Sequence, residues 1–124
     1  MANPTPKSPQ EVEVLYILPA IRRDLSIYLK ELGMEQKAIA RLLNITEPAV
    51  SQYITSKRAS QVRFSEKVRD EIQKLAKRLA EGKRPSILEE IQRLVRMSLD
   101  EKTTCGMCRS QVVGVPAACK ACFR

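Results

Sequence analysis

Apolar residues near the start of the chain recur at the spacing of an α-helix. Between residues 18 and 32 they follow one another at intervals of three, four, three and four, which places them on one face of a helix with 3.6 residues per turn. Gly33 then stands where a C-cap glycine ends a helix. The pattern predicts a helix with one buried side, formed by Leu18, Ile21, Leu25, Tyr28 and Leu32.

The composition leaves aliphatic side chains to build the core. The 124 residues include no Trp, three Tyr and two Phe, which favours helices over a β-sandwich. Four Gly and seven Pro supply too little turn chemistry for a loop-rich all-β fold. No apolar run reaches the roughly 18 residues that span a membrane, and we expect no secretory signal. The predicted class is a small, basic, all-α protein of the cytoplasm.

Charge and missing residue types restrict the function. The net charge is +8 at pH 7, spread along the chain, which suits a folded protein that meets a polyanion on one face as well as a merely basic surface. Histidine is absent, so acid–base catalysis and metal sites that need His are excluded. Without a Ser-based nucleophile elbow or a Gly-rich phosphate loop, we expect no enzyme.

Five helices make up the predicted main domain, residues 11–100. Residues 1–10, with three Pro, are predicted to form a flexible arm, and Glu11–Leu18 is either a short helix or a strand-like lead-in. Ser65 and Ser86 are placed to cap the two long helices. The helices expected after the first are Glu35–Leu43, Glu47–Lys57, Ser65 to about Glu81, and Ser86 to about Leu99.

The segment Gln36 to Tyr53 has the pattern of a helix-turn-helix unit. Ala40 is a small residue where two helices would cross, and Asn44 tolerates the left-handed conformation that the turn needs. Thr46 can cap the second helix, with Pro48 in its first turn. Apolar residues are placed to hold the pair together: Ile39, Leu43, Ile45, Val50 and Tyr53. These features recur together in DNA-binding helix-turn-helix units.

On these residues the chain resembles the lambda-repressor-like (Cro or XRE-type) class of regulators. Two segments are similar to a group of small archaeal predicted transcriptional regulators. They are Leu18-Pro19-Ala20-Ile21-Arg22, and Ala49-Val50-Ser51-Gln52-Tyr53 through Lys57-Arg58. The resemblance covers roughly residues 14–60, and Asn44 departs from the glycine usual in the turn. It implies a lambda-repressor-like helix-turn-helix fold and binding to double-stranded DNA.

The second helix of this unit would present the side chains that read DNA. Gln52 can pair with an adenine edge, and Ala49 or Thr55 can contact a thymine methyl group. Glu47 can accept from cytosine, although an acidic residue at a helix N-terminus is more often a partner of the helix dipole. The side chains suited to phosphates, which position the protein without specifying sequence, are Gln36, Thr46, Ser51, Lys57 and Arg58.

All four cysteines lie in a C-terminal module, residues 103–124, that shows no helical period. Cys105 and Cys108 are separated by two residues, as are Cys119 and Cys122, with ten residues between the pairs. Two such knuckles can complete a tetrahedral four-sulfur site. The ten-residue spacer is long enough for a small hairpin, and the arrangement is similar to zinc-ribbon or rubredoxin-like modules.

Three chemistries remain open for the module. Structural Zn²⁺ would fold a stretch too small to have a core, and a [4Fe–4S] cluster bound by the same thiolates would make it redox-responsive. Disulfides or a thiol–disulfide enzyme need an oxidising compartment or a βαβ scaffold, which nothing indicates.

The sequence as a whole predicts a sequence-specific DNA-binding transcriptional regulator with a metal-binding tail. We expect a homodimer, because two half-sites multiply the affinity of a single helix in the major groove. The Ser86–Leu99 helix, the cysteine tail and the lead-in Glu11–Leu18 are equal candidates for the dimer surface, and no small-molecule substrate is indicated. The alternative is an RNA- or ribosome-associated zinc-knuckle protein, which exposed aromatic side chains would favour.

Overall fold

The computed structural model describes residues 5–55, 62–116 and 118–123. This part of the chain is helical and contains no strand, as the composition predicts. Its elements in chain order are α1 (Pro9–Val12), a π-helical turn (Glu13–Ile17), α2 (Leu18–Glu31), α3 (Gln36–Leu43), α4 (Glu47–Ile54), α5 (Glu66–Ala80), α6 (Ile87–Asp100), α7 (Thr103–Gln111) and a 3₁₀ turn (Ala121–Phe123).

The lead-in segment is helical and continues into α2 without a break. Ser8 caps its start, because the Ser8 hydroxyl accepts from the N–H of Glu11 at 3.3 Å. The π-helical turn comes directly before Pro19, and the N–H of Leu18 donates to the carbonyl of Glu13. A proline has no N–H to donate to the preceding turn, and its ring crowds that turn. The wider π-helical turn makes room for Pro19, so the helix continues through it without a break. The helix begins at Pro9, inside the segment predicted as an arm.

The centre of the bundle is α2. It packs against α3, α4, α5 and α6, so its apolar face is covered on several sides. Ile21 and Leu25 are fully buried, as the 3.6-residue spacing predicts, and Leu29, which was not among the predicted residues, is fully buried as well. Leu18 and Tyr28 of the predicted face are half-buried. Leu32, predicted on the same face, is 48% exposed, because α2 ends at Glu31 and the chain turns away at Gly33 (φ 94°).

Caps on the long helices lie where the sequence places them. Ser65 accepts from the N–H of Val68 at 3.3 Å, and Ser86 accepts from the N–H of Glu89 at 3.3 Å. The buried face of α5 consists of Val68, Ile72, Leu75 and Leu79, which are spaced four, three and four residues apart.

The last helix was not expected. The tail is predicted to have no helical period, yet Thr103–Gln111 forms α7, which packs against α1, the π-helical turn and α6. Its buried side chains are Thr104, Met107 and Cys108, spaced three and one apart. Packing of this face stabilises a helix whose intrinsic propensity is modest.

An ion-pair network connects α5 to α6. Glu90 accepts from Arg78 at 3.2 Å and from Arg93 at 2.9 Å, and Arg93 also lies 3.5 Å from Glu71. Burial alone would raise the pKa of Glu90, but the hydrogen bonds from Arg93 and Arg78 outweigh it and lower that pKa below its ordinary value of 4.5. The ionised carboxylate therefore stabilises the folded state.

We predict that Glu90→Gln lowers the free energy of unfolding by about 0.5–1 kcal/mol at neutral pH, since water still reaches the network. Because the folded-state pKa is lowered, this contribution is complete above the ordinary pKa and is lost as the pH falls through the folded pKa. Urea unfolding at several pH values measures it. Glu81→Gln, at an exposed pair with Lys83, is the control and should change little. An equal loss in both variants would contradict a specific role for Glu90.

Candidate nucleic-acid interface and cysteine cavity

The turn between α3 and α4 has the geometry predicted for it. Asn44 ends α3 in the left-handed conformation, with φ 55° and ψ 46°. The N–H of Asn44 donates to the carbonyl of Arg41 at 3.3 Å, and the N–H of Ile45 donates to that of Ala40 at 3.0 Å. These bonds satisfy the last carbonyls of α3 and fix the direction in which α4 leaves the turn.

Buried side chains lock the two helices together. Ile39 and Val50 are fully buried, and Leu43, Ala40 and Tyr53 are nearly so. Both helices also pack against α2. The unit is therefore held from beneath by the central helix, and the opposite side of α4 is left to solvent.

Thr46 begins α4 as predicted. Its hydroxyl oxygen accepts from the N–H of Ala49 at 3.2 Å, which leaves the hydroxyl hydrogen free to donate to an anion. Glu47 is exposed in the first helical turn. That position suits the helix dipole, the commoner of the two roles considered for Glu47.

The remaining predicted readers occupy the outer side of the unit. Gln52 is exposed, and within the described residues its amide has no hydrogen-bond partner. The Thr55 hydroxyl donates to the carbonyls of Ser51 and Gln52, at 3.0 and 3.2 Å, so its methyl group is the part left for a partner. Ala49, Ser51 and Gln36 are half-buried. Lys57 and Arg58 lie outside the described residues.

Two cations of the unit were missed from the sequence. Lys37 and Arg41 are exposed on α3 and lie four residues apart, so they share one side of that helix. The sequence could have revealed them. Each lies two residues before a predicted buried position, Ile39 or Leu43, and residues two apart on a helix lie on nearly opposite sides. They add positive charge to α3, where the sequence analysis had named only Gln36 as a residue that contacts DNA.

All four cysteines line one cavity of about 170 Å³. Cys105 and Cys108 come from α7, Cys122 comes from the 3₁₀ turn, and Cys119 lies just before it. None of the four is in a disulfide. The structure therefore brings together the two cysteine pairs that the sequence separates by ten residues.

The local geometry of the first pair differs from the prediction. Cys105 and Cys108 lie one turn apart on a regular helix and not on a knuckle, because α7 is stabilised by its packing. In the described range Arg109–Pro116 no hairpin forms, since the helix continues to Gln111 and a turn follows with Gly114 at φ 85°. Met107 is buried, which agrees with the packing role predicted for it.

The surroundings of Cys108 and Cys122 disfavour the thiolate forms of these two side chains. Burial raises the pKa of Cys108, and the other three cysteines and Glu13 raise it further. The pKa of Cys122 is raised by burial first, then by Cys105, Cys119 and Glu13. Glu13 lies in the π-helical turn, and burial raises its pKa as well. A bound cation would stabilise the thiolate forms against this repulsion.

The fit to a metal group is partial. Four thiols around one cavity are the ligand set of zinc and iron–sulfur sites. Thr104, also in the cavity wall, is fully buried, and its hydroxyl has no hydrogen-bond partner among the described residues. A thiolate or cluster sulfide would accept from it. However, no three His, Cys, Asp or Glu side chains among the described residues are gathered closely enough to hold a metal ion.

The cavity is connected to the body of the bundle through the first helix. Ser8 and Pro9 line it beside the cysteines. The Tyr16 hydroxyl, on the π-helical turn, donates to the side-chain oxygen of Gln111 at the end of α7, at 3.1 Å. The same rod continues as α2, which packs against α4.

No protein-family model, curated protein or solved structure matches the chain. Among its described helices, none combines the length and the apolar character required to cross a membrane.

We predict that the turn tolerates glycine better than alanine. Asn44→Gly should change the free energy of unfolding by less than about 0.5 kcal/mol, because glycine adopts the left-handed conformation without steric cost. Asn44→Ala should lose about 1 kcal/mol, because alanine keeps the Cβ that crowds the following carbonyl oxygen and lacks the short polar side chain that lets asparagine tolerate this conformation. Urea unfolding compares the two. Equal losses would show that conformation at residue 44 does not control the turn.

Proposed function

We propose that the chain is a sequence-specific, double-stranded-DNA-binding transcriptional regulator of the lambda-repressor-like helix-turn-helix type. The observation that carries the proposal is the outer face of α4. It presents Gln52, whose amide has no partner among the described residues, from a helix that is capped by Thr46 and anchored by the buried side chains of Val50 and Tyr53. An α-helix supported in this way can enter the major groove with its outer side chains against base edges.

Each outer side chain has a role in the proposed complex. Gln52 donates and accepts at an adenine edge, and the methyl groups of Ala49 and Thr55 contact thymine. Thr46, Ser51 and Gln36 donate to backbone phosphates, as do Lys57 and Arg58 beyond the end of α4. Lys37 and Arg41 join them as phosphate contacts, because both are exposed cations on the same helix as Gln36.

The cysteine cavity is the second part of the proposal. Cys105, Cys108, Cys119 and Cys122 would hold a metal group, either Zn²⁺ or a [4Fe–4S] cluster. Zinc would supply a fixed tetrahedral closure, and a cluster would supply one-electron redox chemistry.

A response to the cysteine site would reach α4 along the first rod of the bundle. α7, with two of the cysteines, packs on the π-helical turn, and α2 continues from that turn to α4. A π-helical turn differs from its α-helical alternative by a small change of register. We expect a changed cysteine site to shift Glu13, whose charge acts on Cys108 and Cys122, and Tyr16, which is hydrogen-bonded to Gln111 of α7, and so the support beneath α4.

A homodimer is part of the proposal, because one helix of eight residues offers few base contacts. The alternative, an RNA- or ribosome-associated protein, finds less support. Tyr16, Tyr53 and Phe64 are buried, and the exposed Phe123 is covered by Lys102, whose ammonium lies 4.2 Å from the ring centroid. Base stacking on RNA needs free aromatic faces.

We predict that Gln52→Ala weakens binding to a cognate duplex, selected from random sequence, by about 1–3 kcal/mol and leaves binding to random DNA unchanged. Fluorescence anisotropy at constant salt measures both affinities. Gln73→Ala, at an exposed position of α5, is the matched control and should have no effect. Equal losses on cognate and random duplexes would show that Gln52 does not read bases.

We predict that all four cysteines serve one metal group. Cys119→Ser and Cys122→Ser, at exposed positions, should each lower the metal content of anaerobically purified protein and leave the helical signal in circular dichroism intact. Ser110→Ala on α7 is the control. Brown protein containing iron would identify a cluster, and colourless protein containing zinc a zinc site. Full metal occupancy in both cysteine variants would contradict a four-thiolate site.

A further inference from the structure

A second cavity lies on a different side of α2 from the cysteine site. It has a volume of about 370 Å³, within the range of about 300–1,000 Å³ typical of small-molecule pockets. Its walls are α2, residues 62–64, which lead into α5, and the first half of α5. Among the described residues, none that is assigned to DNA or to the cysteine site lines it.

The cavity is strongly cationic. Arg23, Arg63 and Arg69 line it together with one carboxylate, Asp24. Arg23 contacts Asp24 at 2.8 Å. Burial raises the pKa of Asp24, while the positive charges of Arg23 and Arg69 oppose the rise, so both guanidinium groups act on the same carboxylate. Three cations against one anion leave an excess of positive charge.

Arg23 is the most enclosed of the three arginines. Its side chain is 24% exposed, whereas Arg63 and Arg69 are exposed. Its Nε is closed off from water, so the outer nitrogens are the part of this guanidinium group that a ligand in the cavity can contact. A guanidinium group binds phosphate oxygens through such nitrogens in a two-pronged geometry.

The remaining wall is apolar. Val62 and Phe64 are buried, and Ile27 and Tyr28 are half-buried. A concave cationic site with an apolar wall differs from a contact to the DNA backbone, which side chains reach with their tips from a convex surface. The shape therefore favours a compact ligand that enters the cavity.

We propose that this cavity binds a small phosphate-bearing molecule, with Arg23 at its base and Arg63 and Arg69 at its rim. The ligand carries at least two negative charges and an organic portion that contacts Tyr28 and Phe64. Since α2 also packs against α4, an occupant would contact the helix that supports the DNA-binding unit. The site itself does not depend on DNA binding.

Isothermal titration calorimetry with inorganic pyrophosphate, at constant ionic strength, tests the site. We expect one saturable equivalent in the full chain, and at least tenfold weaker binding in Arg63→Gln and in Arg69→Gln, whose exposed side chains are not needed for folding. Arg96→Gln, an exposed arginine on α6, should bind as the unchanged chain does. No saturable binding, or an equal loss in the Arg96 variant, would overturn the proposal.

A duplex of random sequence separates a small ligand from a backbone phosphate. We expect Arg69→Gln to keep its affinity for this duplex within twofold, and Gln52→Ala to bind pyrophosphate normally. A loss of duplex affinity in Arg69→Gln as large as its loss of pyrophosphate affinity would assign the cavity to DNA and overturn the proposal. If the full chain binds pyrophosphate but no duplex, the DNA-binding proposal fails and this one stands.

Discussion

Burial of the apolar stripe of α2 is the interaction on which the other elements depend. Ile21, Leu25 and Leu29 are removed from water by four different helices, and each such side chain stabilises the fold by about 1.5–3 kcal/mol. The short helices α3 and α4 are only eight residues long, below the length at which isolated helices persist. Their relative orientation, and with it the outer face that we propose to meet DNA, is therefore maintained by their packing on α2.

The same rod gives the cysteine cavity a mechanical connection to that face. Its first part lines the cavity, the π-helical turn contacts α7, and α2 continues to the helix pair. A change of hydrogen-bond register in one helical turn costs little free energy compared with the free energy gained by burying a whole helix. On the proposed function, a metal group held by the four cysteines would act on α7 and, through this rod, on α4 without unfolding the bundle.

Local patterns predicted most of the bundle and part of the site. The Asn44 turn and the caps Thr46, Ser65 and Ser86 depend on residues adjacent in sequence, so the sequence alone was sufficient for them. Helix α7 was missed for a different reason. Thr104, Met107 and Cys108 have helical spacing, but only Met107 is strongly apolar, so the sequence alone does not show that this face is buried. The cationic cavity joins Arg23 to Arg69 across 46 positions of sequence, and only the tertiary fold reveals it.

Backbone-amide NMR of the full chain, titrated with a selected duplex, tests the central claim most directly, because it maps the contact surface without any substitution. The account predicts that the largest shifts fall on α4 and the start of α3, with smaller shifts along α2, which supports them. Large shifts confined to the face formed by α5 and α6, with the amides of Glu47–Ile54 unmoved, would contradict it.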